Sequence, residues 1–168
     1  MIQLARSGDA AEIARVHIEA WRETYRGYVP AQALDGLSVV QRAEVWAGVI
    51  SHSPGTVAVI KTEEGIAGFV SVRTSSDADA ALGTGELLAI HVAPIHWRQG
   101  YGSALMNWAY ATAHQQGWKK MALWVFKENF RARSFYEALH WELDGKHRSD
   151  SFGDEDLSEV RYQRYGDA

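Results

Sequence analysis

Apolar and polar positions alternate along this chain with two different periods, and the changes of period mark its elements. Residues 2–6, IQLAR, alternate and predict a short strand. Ser7-Gly8-Asp9 follows as a turn that ends in Asp9 as an N-cap. From Ala10 to Tyr25 the period becomes helical, with Ile13, Val16, Ala20 and Thr24 recurring on one side. Gly27 and Pro30 break that helix, and a second helical region covers residues 31–51 with Ser38 as an internal cap. TVAVIK at 56–61 predicts a strand, Glu63-Glu64-Gly65 a hairpin turn, and IAGFVSV at 66–72 the returning antiparallel strand. Residues 75–85, SSDADAALGTG, read as a polar loop of small residues.

The second half repeats the alternation with sharper boundaries. GELLAIHV at 85–92 is a strand, and residues 100–116 a helix with Tyr101, Leu105, Trp108 and Thr112 on one stripe. Gly117 stops that helix, as a glycine just past a helix end does. KMALWVF at 120–126 is a strand, and residues 129–139 a helix with Ala132, Phe135 and Leu139 facing inward. Strands at 141–148 and 158–165 close the chain. A strand, helix and strand over 85–126 make the two strands parallel; the other pairings are antiparallel. The expected fold is therefore α/β (α+β), one domain over residues 1–168. Its mixed, mostly antiparallel central sheet has about six to seven strands, with helices on both faces.

Composition narrows the partners. Net charge is −4 with no run of like charges, which points away from nucleic acid and from anionic membrane. No apolar run reaches the roughly 18 residues of a membrane span. MIQLARSGDA lacks a signal-peptide pattern, so a cytoplasmic location is expected. The chain has no cysteine, which excludes disulfides, thiolate metal sites and a cysteine nucleophile. Histidines at 17, 52, 91, 96, 114, 140 and 147 show no ligand spacing, so no metal is expected.

The chemistry concentrates in HWRQGYGSALM at 96–106, directly after LLAIHVAP. Two glycines, Gly100 and Gly102, open a helix, where unpaired N–H groups and the positive dipole end favour an anion. Arg98 adds a cation and Ser103 a hydroxyl. The stretch reads either as a pyrophosphate cradle or as a tight strand-to-helix turn. A dinucleotide fingerprint would need glycine at Leu105, and a P-loop pattern is absent.

LLAIHVAPIHWRQGYGSALM resembles the acyl-CoA-binding segment of the GNAT N-acetyltransferase superfamily, a strand followed by a V-x-P step and [QR]-x-x-G-x-[GA]. Gly100 and Gly102 match the small positions; Trp97 stands where Gln or Arg is usual, and Arg98 where a further glycine is common. LWVFKENFRARSFYEALHWELDG resembles a second motif of the same superfamily, with Asn129, Ala132, Phe135 and Tyr136 in place. His140 stands at that motif's exit glycine, before Trp141. Residues 11–30 and EVRYQRY at 159–165 extend the resemblance through nearly the whole chain.

The resemblance implies transfer of an acetyl group from acetyl-CoA to a primary amine of a small molecule. A protein or peptide N-terminal or lysine acetyltransferase, and a non-catalytic CoA-binding regulator, are the alternatives. It places Ile90, His91 and Val92 along the thioester and pantetheine, and Trp97, Arg98, Gln99, Gly100, Tyr101, Gly102 and Ser103 around the pyrophosphate. Asn129 and Tyr136 would also contact the donor. The acceptor would meet Trp21, Tyr25 and Tyr28 with Glu23, and the acidic run Asp154, Glu155 and Asp156.

The reaction sets further demands. A lysine-like amine must lose its proton, which costs roughly 4–5 kcal/mol at pH 7. Glu86, at the start of the strand leading to the cradle, is the candidate base, acting directly or through water; His91 is the alternative. Tyr136 is the candidate acid for the departing thiolate. Seven residues separate it from Asn129, which puts both on one helix face while Phe135 points into the core. Without cysteine, direct attack in a ternary complex replaces an acetyl-cysteine intermediate. Aromatics on the helical segments are compatible with a homodimer.

Overall fold

The alternating segments become seven strands and the helical segments five helices in a computed structural model that describes residues 1–152 and 155–166. In chain order they are β1 (Ile2–Leu4), α1 (Ala10–Tyr25), α2 (Ala31–Asp35), α3 (Val39–His52), β2 (Val57–Thr62), β3 (Gly65–Thr74) and β4 (Thr84–Val92). Then come α4 (Tyr101–Gln115), β5 (Lys120–Phe126), α5 (Phe130–Ala138), β6 (Glu142–Phe152) and β7 (Glu155–Tyr165). The strands hydrogen-bond in the order β1-β2-β3-β4-β5-β7-β6. β4 and β5 pair in parallel across α4, while β1–β2, β2–β3, β5–β7 and β6–β7 are antiparallel. The mixed, mostly antiparallel sheet is the one the sequence predicts. Among the described residues no helix is long and apolar enough to cross a membrane.

The chain forms two compact units, Met1–Val72 with Ala89–Ala111, and Arg73–Leu88 with Thr112–Ala168. The first unit is built around Ile13, Ala14 and Val16 of α1, Trp46 and Ile50 of α3, and Val59, Ile66 and Phe69 of β2 and β3. Successive residues of β3 point to opposite faces. A Cβ on Gly68 would lie 3.2 Å from Leu105 of α4, whereas the Phe69 ring meets Trp46 at 4.9 Å and His17 at 5.6 Å. Helices therefore cover both faces of this strand. Ser38 caps α3 by accepting the Gln41 N–H, as expected. Asp9 departs from expectation. It sits in a short turn of 3-10 helix with helical dihedrals, and its carboxylate accepts the Arg6 N–H and the Lys61 ammonium instead of capping α1.

In the second unit the β5–β7 ladder runs unbroken from Lys120↔Tyr165 to Phe126↔Glu159. One face carries Leu123, Val125, Val160 and Tyr162, all buried, with the Tyr162 hydroxyl accepting from Arg133 of α5 and donating to Glu137. The opposite face carries Trp124, Glu159 and Arg161. Gly85 is required by close approach: a Cβ there would lie 2.0 Å from the Trp118 ring. β6 and β7 are longer than predicted because their pairing continues to Phe152↔Glu155. β6 is almost wholly exposed, so it carries no alternation to read.

Two helices present other faces than expected. α4 buries Leu105, Met106, Ala109, Thr112 and Ala113, while Tyr101 and Trp108 are only half-buried. α5 buries Tyr136; Ala132, Phe135 and Leu139 are half-buried. The phase of α5 is set by an aromatic floor, since the Tyr136 ring packs against Trp141 and Tyr162, each at 6.2 Å. Asn129 lies outside α5, with φ −77° and ψ 67°, so the argument that it shares a helical face with Tyr136 does not hold.

Candidate active site

In the first unit, β4 runs into a 3-10 turn at Pro94–His96 and then into the opening of α4. The Trp97 indole N–H folds back onto the Val92 carbonyl at 2.7 Å, and the Trp97 main-chain N–H onto Pro94 at 3.2 Å. Gln99 reaches the Ile95 carbonyl, and the rings of His96 and Tyr101 meet edge to face at 5.9 Å. These contacts hold an otherwise exposed loop. Within it Arg98 has φ +61° and Gly100 φ +82°, both left-handed. A Cβ on Gly100 would meet nothing within 4 Å, so the glycine serves conformation and leaves the approach to the helix start open. The first turn of α4 directs the N–H groups of Tyr101, Gly102 and Ser103 away from any intrahelical acceptor. Arg98, Gln99 and Ser103 are exposed beside them. This arrangement suits a chain of phosphates.

Arg98 and His140 (φ +62°) are the two non-glycine residues with positive φ among the described residues. Both stand where the superfamily pattern carries glycine. At these two positions the backbone is left-handed without a glycine, at a local cost of roughly 1–2 kcal/mol each.

Behind β4 lies a ring cluster. His17 is buried and accepts the Trp46 indole N–H on Nδ1 at 3.1 Å, which places its own proton on Nε2. It stacks on His91 at 4.5 Å and meets Trp21 at 4.2 Å. Burial first, then His91 and Arg42, hold His17 far below the ordinary imidazole range, so it is neutral. Arg42 lies over the Trp21 ring at 4.8 Å. Tyr25 meets Trp21 at 6.3 Å, Tyr28 is exposed, and Glu23 pairs with Arg26.

The second unit holds Glu86, Asn129 and Tyr136. The β4–β5 ladder covers only Thr84–Glu86 against Lys120–Ala122. Glu86 closes it, buried, with Oε2 accepting from Arg73 Nε at 2.6 Å. Asn129 spends its Oδ1 on the Ala132 N–H at 3.1 Å, capping α5 and leaving its NH₂ as the donor end. Glu155 and Asp156 are exposed at the start of β7, and Asp154 lies outside the described residues.

Sequence reasoning missed a charged network on this side of β5 and β7. Arg161, itself buried, donates to Asp77, to both oxygens of Asp79, and to Asp144. These bonds raise Arg161 above its ordinary range and hold Asp79 well below the carboxylate range. Trp124 donates its indole N–H to Asp77 and carries Arg148 over its ring at 4.5 Å. Arg148 Nε also donates to Glu159, whose proton affinity is raised chiefly by burial, with Asp150 and Glu86 adding to it against the pull of Arg148. One signal was available. EVRYQRY alternates charged and apolar residues, so one face of that strand had to be polar.

Comparison with known proteins decides the family. The sequence pattern of the Acetyltransferase (GNAT) family matches residues 15–141. The chain belongs to this family. It is similar to the uncharacterised N-acetyltransferase YuaI of Bacillus subtilis (strain 168), 31% identical over 141 residues, which are 82% of this chain and 77% of that protein. Its fold is that of the PaiA N-acetyltransferase of Thermoplasma acidophilum, solved in complex with coenzyme A. The TM-score is 0.76 at 18% identity, over 98% of each chain. It is also that of yncA of Salmonella typhimurium, a putative acetyltransferase solved with its cofactor acetyl-CoA. Here the TM-score is 0.74 at 19% identity, over 100% of this chain and 94% of that one. As a member of the family the protein is an enzyme, an N-acetyltransferase.

Proposed function

We propose that the protein transfers the acetyl group of acetyl-CoA to the primary amine of a small molecule by direct attack in a ternary complex. The observation that carries this reading is the left-handed turn of Arg98 and Gly100 opening α4, a main-chain shape suited to the donor's pyrophosphate. The coenzyme A held by PaiA and the acetyl-CoA held by yncA support it.

In this reading Trp97, Arg98, Gln99, Gly100, Tyr101, Gly102 and Ser103 hold the phosphates, while the main chain of Ile90, His91 and Val92 aligns the pantetheine and the thioester carbonyl. An N–H aimed at that carbonyl stabilises the oxyanion of the tetrahedral intermediate. Glu86 takes the ammonium proton, directly or through one water, and the neutral nitrogen attacks the carbonyl carbon. The C–S bond then breaks: Tyr136 protonates the departing thiolate, and the second proton released from the attached nitrogen restores the Tyr136 phenol, while Asn129 offers its NH₂ to the pantetheine arm. The chain has no cysteine, so the acetyl group passes straight to the amine.

Thermal unfolding with acetyl-CoA, CoA and NAD tests the donor. At about a hundred times its dissociation constant a ligand adds roughly 2.7 kcal/mol of stability. A shift of several degrees with both CoA ligands and none with NAD is the expected result. No shift at millimolar acetyl-CoA would overturn the reading.

A further inference from the structure

On the Glu86 side of β5 and β7, two glutamates are covered while the arginines paired with them face solvent, with the Asp79 carboxylate also exposed. Glu86 and Glu159 have side chains only 5% and 14% exposed, whereas their partners Arg73 and Arg148 are 45% and 43% exposed. The four belong to one sheet face. Glu86 pairs with Ala122 and Glu159 with Phe126, two positions of the same parity on β5, and Arg148 stands directly opposite Glu159.

Each arginine spends its Nε on its glutamate, which fixes the plane of the guanidinium. Arg73 gives Nη2 to Ser76 at 3.2 Å, and Arg148 lies over the Trp124 ring at 4.5 Å. Among the described residues no acceptor takes Nη1 of Arg73 or either Nη of Arg148. Arg161 differs: it is 9% exposed and its guanidinium is spent on three aspartates. Arg148 therefore keeps both of its Nη groups and Arg73 its Nη1, while Arg161 is fully engaged.

We propose that Arg73 and Arg148 receive the carboxylate of the acceptor, so that the acceptor is an amino acid or a close analogue of one. The proposal rests on the acetyltransferase reading above and deepens it. Guanidinium forks match a carboxylate in a bidentate, charge-assisted way that an ammonium or amide cannot reproduce. A zwitterion brings one charge of each sign to a layer in which each arginine is already balanced by a glutamate. A polyamine brings several positive charges to the same guanidinium edges and is repelled.

The test measures CoA release from acetyl-CoA with the twenty L-amino acids, each beside its primary amide and its decarboxylated amine, after the thermal shift with acetyl-CoA has been recorded. At least one amino acid should exceed its amide and its amine about tenfold or more in kcat/KM. Arg148→Gln should raise KM for that amino acid about tenfold and leave its decarboxylated amine unchanged. Arg148→Lys, which keeps the charge without the fork, should fall between. Amides or amines that equal the amino acids, or a panel in which no amino acid releases CoA while the acetyl-CoA shift persists, would overturn the proposal. An absent acetyl-CoA shift would instead overturn the donor reading.

Discussion

The two units present surfaces made of different materials. At the β4–α4 junction of the first, the working surface is main chain, shaped by left-handed residues and held by a few local hydrogen bonds no more than five residues apart in sequence. On the β5–β7 face of the second, the surface is side chain, and its partners come from far along the sequence. Arg161 reaches Asp79 across 82 residues and Asp77 across 84. In the proposed reading the main-chain surface holds what is common to every donor, and the side-chain surface, which can vary, selects the acceptor.

Removing the hub of the second unit is expected to have the largest effect. Arg161→Leu leaves the largely covered Asp77 and Asp144, and the more exposed Asp79, without their shared cation, and should destabilise the protein by more than any other change considered. Urea unfolding measures it. A loss below about 1 kcal/mol would mean the side-chain network is decoration, and the contrast between the units would fail.

A smaller effect concerns the first unit and has a defined sign. His17 is held neutral when folded, with its proton affinity far below that of the unfolded chain, which takes up a proton near pH 6.5. Its contribution is complete above that pH and is lost as the pH falls, by up to about 1.4 kcal/mol per unit. Stability measured from pH 7.5 to 5 should therefore decline, and His17→Gln, which can still accept from Trp46, should flatten the decline. An unchanged slope in that variant would assign the acid sensitivity to other groups.

The smallest effect separates structure from binding at one residue. Asn129→Ala removes the α5 cap and should cost about 1 kcal/mol. Asn129→Asp keeps the capping oxygen and loses only the NH₂. If Asn129 serves the donor, the aspartate variant is as stable as the wild type yet binds acetyl-CoA more weakly. Equal binding would leave Asn129 as a cap alone.

The same contrast explains what was legible in the sequence. The strand-to-helix turn was readable because main-chain shape leaves marks at fixed local spacing, as at Gly100, Gly102 and Gly117. Arg98 and His140, where the pattern commonly has glycine, are the non-glycine residues with positive φ among the described residues. Strand 120–126 was read to the residue, because a buried strand is bounded by its own apolar run. The polar face was not readable, since Arg73, Arg148 and Arg161 find their carboxylates only when strands pair. The burial of Tyr136 in place of Phe135 failed for a related reason: Trp141 and Tyr162, outside the helix, set its phase. The contact of Arg42 with Trp21 was not readable, because Arg42 lies on another helix.

The division of labour is tested most directly by titrating acetyl-CoA calorimetrically into Gly100→Val and Glu86→Gln, at a temperature where both variants are folded. A β-branched residue at φ +82° must move the backbone of the cradle. Gly100→Val is predicted to weaken donor binding at least about tenfold, and Glu86→Gln to keep it within about twofold while turnover falls. Full affinity in Gly100→Val, or lost affinity in Glu86→Gln, would contradict the account.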